Sequence, residues 1–130
     1  MPHTIPCVKQ LLSSWSKMSF RELCVEIILL FSGDEIPRDD LQPMIDIAYN
    51  RFSSADVTPV VHVGDMTICE LFHGPTLAFK DIALQMIGQM LQYFLSKRQS
   101  WLTVLVGTSG DTGRYYYYII FFCMFFKHIG

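Results

Sequence analysis

The stretch from Asp81 to Gly113 most restricts what this chain can fold into. Ile82, Leu84, Met86, Ile87, Met90, Leu91 and Phe94 recur at helical spacing and predict a helix from about Asp81 to Leu95, with an apolar face broad enough to imply burial on more than one side. Lys97 and Arg98 follow with charges suited to the negative end of a helix dipole. Leu102 to Val106 is then a continuous apolar run of the kind buried on both faces of a parallel sheet. It opens into Gly107-Thr108-Ser109-Gly110-Asp111-Thr112-Gly113, and a glycine-rich turn after a buried strand is where α/β proteins place their ligands. The expectation is an α/β fold whose parallel sheet is incomplete.

Two helices and a hairpin are predicted upstream. Ser19 and Glu22 form a capping-box pattern: the hydroxyl accepts from a free first-turn amide, and the carboxylate reaches back to the cap amide. Leu23, Ile27, Leu30 and Phe31 supply the packing stripe of that helix, and Ser32-Gly33 stops it through the left-handed conformation that glycine tolerates. Asp39 and Asp40 start a second helix with apolar positions Leu41, Met44, Ile45, Ala48, Tyr49 and Phe52. Pro43 is expected in its first turn, where a missing amide costs nothing. From Thr58 the residues become β-branched, predicting strands over Val60 to Val63 and Met66 to Phe72 around a Gly64-Asp65 turn. Three parts result: a helical segment over 1–57, the start of an α/β domain over 58–113, and an apolar tail over 114–130. A chain of 130 residues has room for one modest core.

Charge and cysteine usage exclude several functions. Ten basic and twelve acidic residues are well mixed and give a net charge of -2, so there is no basic field for nucleic acid. Cys7, Cys24, Cys69 and Cys123 are far apart and form no CxxC pair, so no zinc or other metal site can be written. No signal peptide is visible, because Glu26 interrupts the apolar stretch from Leu23 to Phe31; an intracellular, cytoplasmic protein is expected. Tyr115 to Phe126 reads YYYYIIFFCMFF and carries eight of the eighteen aromatic residues, which inflates the 51% hydrophobic share. It is shorter than the roughly 20 residues of a spanning helix, so no membrane anchor is expected.

Three places bear chemistry. Lys80, taken alone, reads as a surface charge beside a helix start. Phe79 and Ala78 on one side and the positive end of the following helix make its amine easier to deprotonate, and a neutral amine is what a Schiff base requires. Asp81 opposes this unless its carboxylate turns to backbone amides. The amides of Thr108 to Gly113 and the hydroxyls of Thr108, Ser109 and Thr112 can form a nest for a carboxylate or phosphate, or simply a turn; Asp111 there either caps the turn or faces a donor on the ligand. His73, next to Gly74-Pro75, reads first as a loop-shaping residue whose ring bonds to backbone and second as an acid or base.

Together, ELFHGPTLAFKD at Glu70 to Asp81 and VGTSGDTG at Val106 to Gly113 resemble the paired signatures of the threonine synthase and threonine synthase-like family, over roughly Met18 to Gly113. The resemblance implies a type II pyridoxal 5′-phosphate (PLP) fold of two α/β domains. It makes Lys80 the catalytic lysine that bonds covalently to PLP, and lays Ser109, Gly110, Asp111, Thr112 and Gly113 against the cofactor and the substrate carboxylate. Thr76 and His73 match positions lining the same cleft, with Thr108, Ser109 and Thr112 as further substrate contacts. The implied partner is a small phosphorylated amino acid, O-phosphohomoserine. Phosphate elimination followed by water addition would give threonine, and hydrolysis without that addition would give 2-oxobutyrate.

The pattern ends at Gly113. Where the family continues with small residues, this chain has Arg114 and four tyrosines. The family supplies its phosphate-binding loop and the residue facing the pyridine nitrogen from further along, so a full PLP site is not expected in this chain alone. The uncharged, β-prone run from Tyr115 to Phe126 suits an alternative exon, a retained intron or a misread gene, and a non-catalytic truncated product is the competing expectation.

Overall fold

The computed structural model describes residues 8–104; Thr108 to Gly113 and the apolar tail lie outside the described residues. The described elements are α1 (Val8–Trp15), α2 (Phe20–Ser32), a 3-10 turn (Gly33–Glu35), α3 (Arg38–Tyr49), β1 (Val60–Val63), β2 (Met66–Cys69) and α4 (Lys80–Lys97). The short α1 has no counterpart in the sequence reading.

The capping box predicted for α2 is present. Ser19 Oγ accepts from the Glu22 amide at 3.3 Å, and Glu22 Oε2 accepts from the Ser19 amide at 2.7 Å. Gly33 ends the helix with its amide on the Leu29 carbonyl; its φ of 53° is positive as expected, but its ψ of -128° is not that of the left-handed helix. The packing stripe is rotated from the predicted one. Val25 is buried, and Cys24, Ile28 and Leu29 pack beside it, whereas Ile27 and Phe31 face solvent.

In α3 the predicted stripe holds: Leu41, Met44, Ile45, Ala48 and Tyr49 are all buried, with Phe52 packed against them just beyond the helix. The helix begins earlier than expected. The Pro37 carbonyl accepts from the amides of Asp40 and Leu41, so Pro43 falls in the second turn instead of the first. With no amide to donate, Pro43 cannot make the helical bond back to the Asp39 carbonyl.

The core is a layer in which α3 lies between α2 and α4. Ile36 and Val57, at the two ends of the α3 segment, and Met86 of α4 complete its buried set. Tyr49 fastens α3 to the start of α4 by donating to the Ile82 carbonyl at 2.9 Å. Burial and the neighbouring Cys24 thiol push the Tyr49 hydroxyl pKa well above that of a free phenol. The α4 helix runs two residues beyond the predicted end, and Ile87 on its far side is exposed, so the described residues cover one side of it.

The only sheet among the described residues is the antiparallel hairpin, paired Val60↔Cys69, Val61↔Ile68, His62↔Thr67 and Val63↔Met66. Gly64 opens its two-residue turn at φ 59°, the positive value that tight hairpin turns need. β2 stops at Cys69, three residues before the expected end, which frees Glu70 to Phe72 to lead into the Lys80 loop. The predicted parallel strand is absent as far as it can be followed. Trp101 to Val104 have no regular structure, Trp101 and Leu102 are exposed, and Leu105 and Val106 lie outside the described residues.

Candidate active site

The loop from His73 to Phe79 brings Lys80 to the first position of α4. It begins as a turn, with the Leu77 amide donating to the Gly74 carbonyl at 3.0 Å and Pro75 in the position where its fixed φ suits a turn. Leu77 then takes φ 61°, a left-handed conformation that costs a side chain-bearing residue about 1–2 kcal/mol. The surrounding contacts must hold it there.

Asp81 supplies the main hold. It is fully buried, Oδ2 accepts from the Thr76 amide at 2.9 Å, and Oδ1 accepts from the Thr76 hydroxyl at 2.7 Å. Its carboxylate does turn to a backbone amide, as one sequence reading had it, but the amide belongs to the preceding loop. Gly74 makes room for this arrangement, because a Cβ there would run into the Asp81 carboxylate and Cβ. Neither role was read from the sequence. The five-residue spacing from Thr76 to Asp81 across a helix start was the available signal.

His73 is held at the other end of the loop. Its Nε2 lies 2.6 Å from Glu70 Oε2 and its Nδ1 3.3 Å from Ser53 Oγ, while its carbonyl accepts from the Ser53 amide at 2.9 Å. The ring bonds to side chains and not to backbone as the loop-shaping reading expected; it is the carbonyl that bonds to backbone. Phe72 stacks on the ring at 4.7 Å between centroids.

Lys80 itself is partly exposed. Phe79 does not shield it in the way the sequence suggested; it is 64% exposed, and Leu77 is 70% exposed. Lys80 thus follows the turn that Asp81 clamps, with Leu77 and Phe79 exposed just before it in the chain, and a primary amine there has the chemistry to bond a carbonyl. Of the remaining predicted contacts, Thr76 and His73 stand on the same loop as Lys80; Thr108, Ser109, Gly110, Asp111, Thr112 and Gly113 lie outside the described residues. No group of three or more metal-ligating side chains occurs among the described residues, and no described helix is long and apolar enough to cross a membrane.

Residues 1–49 match the sequence family described as threonine synthase N terminus. Threonine synthase-like 2 from Rattus norvegicus is 47% identical over 116 residues, covering 87% of this chain and 24% of the relative. Threonine synthase from Saccharomyces cerevisiae is 44% identical over 129 residues, covering 87% and 25%. The crystal structure of PLP-bound threonine synthase from Brucella melitensis superposes with a TM-score of 0.78 at 36% identity, covering 87% of this chain and 25% of that one. The chain belongs to the threonine synthase and threonine synthase-like family and corresponds to its N-terminal part. It spans about a quarter of the length of the curated relatives it matches.

Proposed function

We propose that this chain carries the lysine-bearing part of a threonine synthase-like lyase that uses PLP and acts on O-phosphohomoserine, eliminating phosphate, after which the remainder of the substrate either adds water to give threonine or is hydrolysed to 2-oxobutyrate and ammonia. The observation that carries the reading is Lys80 at the first position of α4, on a loop fixed by the buried Asp81, within a chain 44% identical to a threonine synthase. PLP, when bound, would supply an electron sink for the carbon next to the amino group. Lys80 would hold the cofactor and then move protons at the α and β carbons of the substrate through Nζ. The amides of Ser109 to Gly113 would cradle the substrate carboxylate and lie against the cofactor, and Thr76, Thr108, Ser109, Thr112 and His73 would contact the substrate. Thr76 gives its amide and hydroxyl protons to Asp81, so it can offer a ligand only an acceptor.

A non-catalytic product is the second reading, favoured by the change to Arg114 and four tyrosines directly after Gly113. Adding PLP to the purified chain separates the two. The enzyme reading expects a visible absorbance band that disappears in Lys80→Ala and shifts when O-phosphohomoserine, whose amine competes with Lys80, is added. A band unchanged in Lys80→Ala, or no band at all, would overturn the cofactor assignment. A shift no larger than that given by homoserine would overturn the substrate.

A further inference from the structure

A lysine that must bond repeatedly to one carbonyl has to be presented from a backbone that returns to the same place. The loop before Lys80 does not have that property by itself, since it contains Gly74, a positive-φ leucine and the exposed side chains of Leu77 and Phe79. Asp81 fixes its far end. The near end is fixed by Ser53 and Glu70, two residues outside the lysine loop.

We propose that Ser53 and Glu70 are positioning residues for Lys80, acting through His73. This rests on the reading of Lys80 as the cofactor lysine. Glu70 Oε2 takes the Nε2 side of the ring at 2.6 Å, Ser53 Oγ takes the Nδ1 side at 3.3 Å, and Ser53 also binds the His73 carbonyl through its amide at 2.9 Å and its hydroxyl at 3.3 Å. His73 is thus held at three atoms from two different parts of the chain. Glu70 follows β2 directly and donates its amide to the Pro59 carbonyl at 2.9 Å, so it is tied to the base of the hairpin. Ser53 follows the turn in which the Phe52 amide donates to the Tyr49 carbonyl. Tyr49 in turn binds Ile82, two residues past Lys80. The contacts close a circuit from the first turn of α4 through the end of α3 to Ser53, His73, the Gly74 turn, Thr76 and Asp81, with Lys80 inside it. Ser53 carries that circuit from the end of α3 to the loop, and Glu70 ties the same histidine to the base of the hairpin.

The test uses the whole chain. It is treated with PLP and then borohydride, and the pyridoxyl group is mapped by peptide mass spectrometry at Lys80 and at the exposed Lys17 as an internal reference. The wild-type chain is expected to favour Lys80. Ser53→Ala and Glu70→Ala are expected to lower the Lys80 to Lys17 ratio about tenfold, the effect of roughly one charge-assisted hydrogen bond, and Ser53→Thr to restore it. Amide exchange at Thr76 and Leu77 should quicken in the alanine variants while the amides of α2 and α3 keep their protection. A wild-type chain with no preference for Lys80 would refute the cofactor-lysine reading and this proposal with it. A preference that persists in both alanine variants, or unchanged exchange at Thr76 and Leu77, would overturn this proposal alone. Should an alanine variant lose protection in α2 and α3 as well, Glu70→Gln decides: a lower ratio in a folded chain supports the anchor, and an unchanged one removes it.

Discussion

In Gly74→Ala the added methyl group meets the Cβ, Cγ and Oδ2 of Asp81 closer than real carbon atoms approach one another. Backbone geometry is not the obstacle. Gly74 is absent from the positive-φ residues, so its conformation is one that alanine adopts freely, and only the contact resists the change. Either Asp81 moves or the loop does. Forcing a methyl into a filled site costs about 1–3 kcal/mol. Displacing the carboxylate also weakens two charged hydrogen bonds from Thr76, each worth about 1.5–3 kcal/mol. A loss of about 3–5 kcal/mol is expected. Gly64→Ala is the control, since nothing lies within 4 Å of its added carbon and only its φ of 59° resists, at about 1–2 kcal/mol. Urea unfolding followed by far-ultraviolet circular dichroism should place Gly74→Ala below Gly64→Ala by about 2 kcal/mol. The reasoning fails if the order is reversed. It fails more plainly if Gly74→Ala raises stability by about 0.4–1 kcal/mol, the usual gain when alanine replaces glycine at a compatible φ.

Three further substitutions have expected outcomes. Ser19→Ala should destabilise the chain by about 1 kcal/mol through loss of the α2 cap. The Ser19 amide and hydroxyl hold the Glu22 carboxyl below its ordinary pKa, so the separate support that the ionised carboxylate gives the cap is present above the unfolded value of 4.5 and fades as pH falls through the lower folded value. Glu22→Gln should abolish that acid-side loss, measured as helix content against pH. Tyr49→Phe should cost about 1 kcal/mol, because the Ile82 carbonyl loses its side-chain donor. The folded Tyr49 pKa is raised by burial above the 10.0 of a free phenol, so in the wild-type chain its share of stability is complete below that pH and declines above it. A Tyr49→Phe unfolding curve with the same alkaline decline would show that Tyr49 is not its source.

Legibility in the sequence followed contrast. In α3, Asp39, Asp40 and Asp46 break the apolar positions into an unambiguous stripe, and each predicted contact of that stripe is buried or packed on the core. In α2 the run Val25 to Phe31 has one charged residue, so periodicity could not choose a face, and the packing of Val25 against α3 chose it instead. Pro43 was misplaced because a proline was expected to mark the first turn, when the Pro37 carbonyl already opens the helix six residues earlier. The exposure of Leu102 depends on neighbours that the local residues do not contain. At the site, Lys80 was legible as part of a string, whereas Ser53 lies twenty residues from His73 with no periodic relation to it.

The string from His73 to Asp81 therefore divides by physical role. His73 anchors the entry of the loop, Gly74 yields space to a carboxylate, Pro75 and Leu77 turn the chain, Thr76 spends two donors on Asp81, and Asp81 spends a buried carboxylate on the turn. Each would look catalytic by its nearness to a reactive lysine. Yet each already makes a contact that sets where Lys80 emerges, and a substitution at any of them acts on Lys80 first through geometry.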